Sequence, residues 1–150
     1  MKVRKQAHVL YKAQYHVVWI PRYRYKVLNK GVAKYLEIKF KEVRKYYPEI
    51  EYVEMNIQVD HVHLILSFPG SLSVSKVVQL LKSNTGRALK NKFDFLKERY
   101  PHGGVWTTGY FFSTVGLDET MIRNYVRYQE KEDLGQAELE LKEATDVSPW

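Results

Sequence analysis

The stretch "IEYVEMNIQVDHVHLILSF", residues 50–68, restricts the fold more than any other part of the chain. Tyr52, Glu54, Asn56 and Gln58 alternate with Val53, Met55, Ile57 and Val59, and "HVHLILSF" follows after almost no gap. A period of two marks a strand with one dry and one wet face, because successive side chains point to opposite sides. Two such strands joined only through Val59 and Asp60 read as a hairpin, although the joint lacks the Asn-Gly or Asp-Gly pair of a tight turn.

The remaining apolar patterns fall on either side of this hairpin. "AQYHVVWI" is β-branched and aromatic and ends at Pro21, which gives a strand from about Lys12 to Ile20. "PRYRYKVLNKG" then reads as a basic, aromatic loop. Val32, Leu36, Phe40, Val43 and Tyr47 recur at helical spacing before Pro48, so a helix is expected over Gly31–Tyr46. A second helix runs from Ser73 to about Phe93, with Val74, Val77, Leu81, Thr85 and Leu89 on one stripe and Ser73 as its cap. Residues 94–105 look irregular, with Pro101, Gly103 and Gly104 as breakers. "VWTTGYFFSTVG" reads as a strand bent at Gly109, and a last helix begins near Asp118 and runs through "TMIRNYVRYQEKED". Strand, helix, strand, strand, helix, strand, plus one helix, is the α+β, ferredoxin-like split βαβ order. Right-handed crossovers place both main helices on one face of an antiparallel sheet and leave the other face free for a ligand.

At 150 residues the chain is expected to be one domain, residues 1–130, followed by an acidic tail, residues 131–150. Residues 130–150 carry seven acids against two lysines, a net charge of −5, so residues 1–129 carry +12. A body this basic, in a chain with 12 tyrosines, suggests a polyanion whose bases stack on aromatic rings. The absence of cysteine excludes disulfides, thiolate metal sites and cysteine nucleophiles, so any metal must sit on nitrogen and oxygen. Polar residues interrupt the N-terminal apolar stretches before they could serve as a signal-peptide core. No window approaches the roughly 20 apolar residues of a spanning helix, and a cytoplasmic location without membrane contact is the expectation.

His61 and His63 sit one residue apart on a strand, so both imidazoles share a face, either as half of a metal site or as surface residues of a half-exposed strand. The missing ligand must be carboxylate, amide or water, which suits Mg²⁺ or Mn²⁺ better than Zn²⁺. His16 within the first strand and His102 in a turn stand singly and read as structural or solvated. On the last helix Tyr125 and Gln129 are four apart and share a face, as do Tyr128 and Glu132. Either pair could put a phenol beside an oxygen ligand, and spacing does not separate them.

"DHVHLIL" resembles the HUH motif (His, hydrophobic, His), and "IRNYVRYQ" resembles the tyrosine helix of the single-tyrosine transposases of the IS200/IS605 group. "YHVVWIPRYRYKVL", "LLKSNTGRAL" and "WTTGYFFSTVG" extend the resemblance, in order and spacing, over roughly residues 11–130. The resemblance implies His61, His63 and Gln129 as ligands of Mg²⁺ or Mn²⁺ and Tyr125 as the nucleophile. It further implies cleavage of single-stranded DNA at insertion-sequence ends through a 5′-phosphotyrosine, recognition of subterminal hairpins, and a homodimer whose sites combine histidines and tyrosine helix from different subunits. DNA contacts are expected from Arg22, Tyr23, Arg24 and Lys26, with Tyr25, in the basic loop, and from Lys82 and Arg87, with Lys90 and Lys92, on the second helix. When bound to DNA the protein would be nucleoid-associated. Rival readings are a domesticated relative acting on repeated palindromes, a rolling-circle replication initiator, and a non-catalytic ferredoxin-like nucleic-acid-binding module. The initiator is disfavoured by a short chain with no helicase segment, and the binding module by histidines where aromatic residues would be expected.

Overall fold

A computed structural model describes residues 13–135 in full, together with the backbone of residues 3–4, 10–11 and 136–146. The expected start of the first strand at Lys12 and the side chains of the acidic tail beyond residue 135 lie outside the described residues. Val3–Arg4 and Leu10–Tyr11 pair as a short antiparallel ribbon. The body then runs β1 (Gln14–Trp19), α1 (Lys30–Val43), β2 (Glu51–Gln58), β3 (His61–Ser67), α2 (Val74–Lys92), α3 (Asp94–Arg99), β4 (Phe111–Ser113) and α4 (Glu119–Asp146). The four strands form one antiparallel sheet in the order β2-β3-β1-β4, the ferredoxin-like arrangement.

Local chemistry sets the element ends. Asn29 Oδ1 accepts the Val32 amide and Ser73 Oγ the Lys76 amide, capping α1 and α2. Asp118 Oδ1 accepts the Met121 amide at the head of α4. Val32, Leu36, Phe40 and Val43 of α1 and Val77, Val78, Leu81 and Leu89 of α2 are buried against Val17, Trp19, Val62, Leu64 and Leu66 of the sheet. Burial of each such aliphatic side chain contributes about 2 kcal/mol, so this face holds most of the fold together.

Several sequence expectations need correction. The alternation in β2 is broken by a register shift between Tyr52 and Glu54, a β-bulge that turns Tyr52 onto the helix face, where its hydroxyl donates to Phe40 O at 2.6 Å. Glu54, Asn56 and Gln58 oppose Ile65, His63 and His61 on the other face. The segment expected to be irregular contains α3, with Asp94 in its first turn and Leu96 buried beneath it. Of the long strand expected after it, only Phe111–Ser113 joins the ladder, while Trp106 forms an isolated bridge with Pro21. The interruption has a cause: the Lys82 ammonium takes the carbonyls of Thr107 and Gly109, at 2.5 and 3.1 Å.

The second sheet face is not free along its whole width. Val18 and Ile20 pack beneath Tyr125 and Val126 of α4, with Phe111, Leu117 and Ile122 at the margin. Helix α4 passes without a break through the expected boundary at 130/131. Asp133 beyond that boundary is buried in the body. Among the described residues no helix is long and apolar enough to cross a membrane.

Candidate active site

The pleat of β3 sends Val62, Leu64 and Leu66 into the core and His61, His63 and Ile65 to the opposite face. There the histidines line a cavity of about 610 Å³, floored by Glu54, Asn56 and Gln58 of β2 and roofed by Ile122, Arg123 and Val126 of α4. The rings thus face a space that the tyrosine helix borders. His63 Nε2 is buried with no hydrogen-bond partner. Burial pushes its pKa below the ordinary imidazole value, and the neighbouring His16 adds to the shift, which favours the neutral, ligand form. His61 Nδ1 meets Asp60 Oδ1 at 2.9 Å. Arg24 holds the other Asp60 oxygen, and hydrogen bonding from His61, reinforced by Arg24, lowers the carboxyl to about 2.

The tyrosine side of the site is built differently. Tyr125 is buried, packs its ring at a tilt 5.7 Å from that of Phe111, and leaves its hydroxyl without a partner. Burial raises its pKa, and the charge of Asp133 raises it further, so the phenol is poorly prepared for attack in this arrangement. Gln129 lies in a separate cavity of about 540 Å³, its Nε2 donating to Thr107 Oγ1 at 2.9 Å and to Asp133 Oδ1 at 3.0 Å. Gly109 makes room for it, since a Cβ there would collide with Gln129 Oε1. The structure therefore brings His61 and His63 into one cavity and Gln129 into another, with Tyr125 among the lining residues of neither. Tyr128 is largely exposed, and the charge of Glu132 raises its pKa, the wrong direction for a nucleophile.

The expected DNA-contacting residues divide in two. Lys26 and Arg87 are exposed. Arg22 donates to His102 O at 3.2 Å and lies over the Tyr23 ring. Arg24 is paired with Asp60 and Glu130, and the Tyr23 amide donates to Asp133 Oδ2. Lys82 is committed to the two carbonyls of the loop before β4, and burial lowers its pKa to about 8. Arg87, with Lys90 and Lys97, edges a groove of about 1030 Å³ between α2 and residues 101–110, whose wall includes Trp106 and Tyr110.

Sequence reasoning missed Asp60, Asp133 and the Thr107–Gly109 cradle. Asp60 is adjacent to His61 in the chain, so its role was accessible as a neighbouring acceptor. His16 lies 5.6 Å, ring to ring, from His63, which only the β1/β3 register reveals.

A sheet with two helices on one face, a histidine pair on the other and a tyrosine-bearing helix laid beside that pair is the architecture of single-tyrosine transposases. A crystal structure of a candidate transposase from Deinococcus radiodurans R1 superposes with a TM-score of 0.73 at 26% identity, covering 86% of this chain and 98% of that one. A REP-associated tyrosine transposase bound to a REP hairpin shares the fold at a TM-score of 0.51 and 15% identity, over 85% of this chain and 70% of the other. The family model "Transposase IS200 like" matches residues 9–129, and the chain belongs to that family. It is 31% identical to the transposase for insertion sequence element IS200 of Salmonella typhimurium over 133 residues, 85% of this chain and 83% of the relative. It is 28% identical to the ISDra2 transposase TnpA of Deinococcus radiodurans over 130 residues, 86% of this chain and 92% of the relative.

Proposed function

We propose that this transposase cleaves and rejoins single-stranded DNA at insertion-sequence ends, with Tyr125 as nucleophile and His61, His63 and Gln129 as ligands of Mg²⁺ or Mn²⁺. The observation that carries the reading is the unpartnered, buried His63 Nε2 beside His61 in a cavity bordered by the tyrosine helix. Buried polar atoms without partners are rare, and an unpartnered imidazole nitrogen on a residue that lines this cavity fits a divalent cation. A bound divalent ion would supply charge neutralisation and polarisation of the scissile phosphate.

The chain's own part is covalent. The Tyr125 oxygen forms a bond to phosphorus, the bond to O3′ breaks, and the phenolic proton ends on the departing 3′ oxygen. The product is a 5′-phosphotyrosine and a free 3′ hydroxyl; a second 3′ hydroxyl reverses the step and joins new strands. In one chain Tyr125 is sealed against Phe111 and Gln129 is bonded to Thr107 and Asp133, so chemistry requires α4 to be seated differently. A homodimer in which the tyrosine helix of one subunit meets the histidine pair of the other supplies that seating. Substrate hairpins suit the basic groove beside α2, and the structural neighbour bound to a hairpin supports that choice of DNA.

The test is incubation with single-stranded hairpin DNA carrying an element end, with Mg²⁺ or Mn²⁺, followed by a denaturing gel. A covalent adduct is expected that disappears in Tyr125→Phe, persists in Tyr128→Phe, and falls at least tenfold in His61→Ala or with chelator. An adduct that survives Tyr125→Phe overturns the nucleophile assignment, and the absence of any adduct favours a non-catalytic binding module.

A further inference from the structure

Asp60 and Arg24 form a chain of contacts that the proposed chemistry does not use. His61 Nδ1 meets Asp60 Oδ1 at 2.9 Å, Asp60 Oδ2 accepts from Arg24 Nε at 2.9 Å, and Arg24 Nη1 donates to Glu130 Oε1 of α4 at 3.0 Å. All four groups are shielded, with side chains 15–37% exposed. The turn that delivers Arg24 is strained: Tyr23 and Arg24 both adopt positive φ, 61° and 54°, which non-glycine residues rarely do. Such strain persists only where surrounding contacts over-determine the conformation. Here the Tyr23 amide to Asp133 and the Arg24 guanidinium to Asp60 and Glu130 are those contacts.

From this geometry we infer that Asp60 is a positioning residue of the metal site: it holds the proton of His61 on Nδ1, so that Nε2 presents its lone pair to the cation, and Arg24 fixes Asp60 for that task. The inference rests on His61 being a metal ligand. A carboxylate held by an arginine can only accept, so the nitrogen facing it must carry the proton, and the remaining nitrogen is left as the ligand atom. Both oxygens of Asp60 are engaged, which makes it an orienting partner and not a third ligand. Metal-binding histidines typically donate their second nitrogen to a carboxylate or carbonyl, and loss of such a partner weakens metal binding about 10–100-fold. The link from Arg24 to Glu130 also ties this orientation to the seating of the tyrosine helix.

The experiment titrates the purified full chain with Mn²⁺, reading free ion by electron paramagnetic resonance, and records the tautomer of His61 by ¹⁵N NMR of the metal-free protein. Asp60→Ala is expected to raise the Mn²⁺ dissociation constant about 10–100-fold and to abolish the Nδ1–H signature. Asp60→Asn keeps an acceptor oxygen and is expected to lose less on both counts; if the alanine variant fails to fold, the asparagine variant decides, with a measurable weakening expected. Wild-type protein that binds Mn²⁺, with affinity and tautomer unchanged in the folded variants, overturns the role of Asp60 while leaving the metal reading intact. Wild-type protein that binds neither Mn²⁺ nor Mg²⁺ overturns both.

Discussion

Replacing Tyr125 by Phe is expected to stabilise the protein while abolishing its chemistry. The Tyr125 ring is packed against Phe111 and beside Val18 and Ile20, and its hydroxyl is buried without a partner. A buried hydroxyl denied a hydrogen bond costs about 1–3 kcal/mol relative to water, whereas the ring contacts survive in Phe. Removing the oxygen therefore gains about 1–2 kcal/mol, which for a domain of this size raises Tm by roughly 2–8 °C. Tyr52 provides the matched control, because its hydroxyl donates to Phe40 O at 2.6 Å, and Tyr52→Phe should lose about 1 kcal/mol. Tyr128→Phe, at a side chain 60% exposed, should lie within about 0.5 kcal/mol of wild type. Urea unfolding at fixed protein concentration measures all three, with m-values compared so that midpoints can be read as stability. A Tyr125→Phe protein less stable than wild type would refute the reasoning, since it would mean that the hydroxyl has a partner in solution.

Further outcomes follow from the anchors of α4 and the divided site. Asp133→Ala removes the acceptor of the Tyr23 amide, Thr107 Oγ1 and Gln129 Nε2, and should lower unfolding free energy by about 3 kcal/mol, visible as a shifted urea midpoint. Lys82 has its folded pKa lowered from 10.5 to about 8, chiefly by burial. The unfolded chain binds more protons between those values, so stability should rise by up to about 3 kcal/mol as pH increases from 8 to 10.5. That rise, followed by denaturant titration, should be missing in Lys82→Met. Mixing His63→Ala with Tyr125→Phe, each inactive alone, should restore adduct formation, because a heterodimer with composite sites contains one intact site; no restoration contradicts the exchange of tyrosine helices.

The fold was legible because its signals are local: periods of two and 3.6, Pro21 and Pro48 as stops, and Ser73 as a cap. What escaped depends on contacts between distant segments. The bulge beside Val53 has no local signature, yet it decides that Tyr52 faces α1 while Glu54 faces the histidines. The last strand looked long because its residues favour β structure, but a lysine from α2 captures its carbonyls and a glutamine from α4 fills the space at Gly109. The histidine pair was legible from alternation alone. The seat of Tyr125 and Gln129 was not, because helical spacing places them on one face without saying what that face meets. Asp133 read as part of an acidic tail, since nothing in its neighbours distinguishes a buried acceptor of three hydrogen bonds from a solvated charge.

The most direct measurement is mass spectrometry of the protease-digested covalent complex formed with a single-stranded element end. A single peptide carrying a 5′-linked nucleotide on Tyr125, formed only when divalent metal is present, is the expected result. A nucleotide on Tyr128, attachment through the 3′ side of the break, or equal yield without metal would contradict a phenol at position 125 acting beside a cation held by His61 and His63.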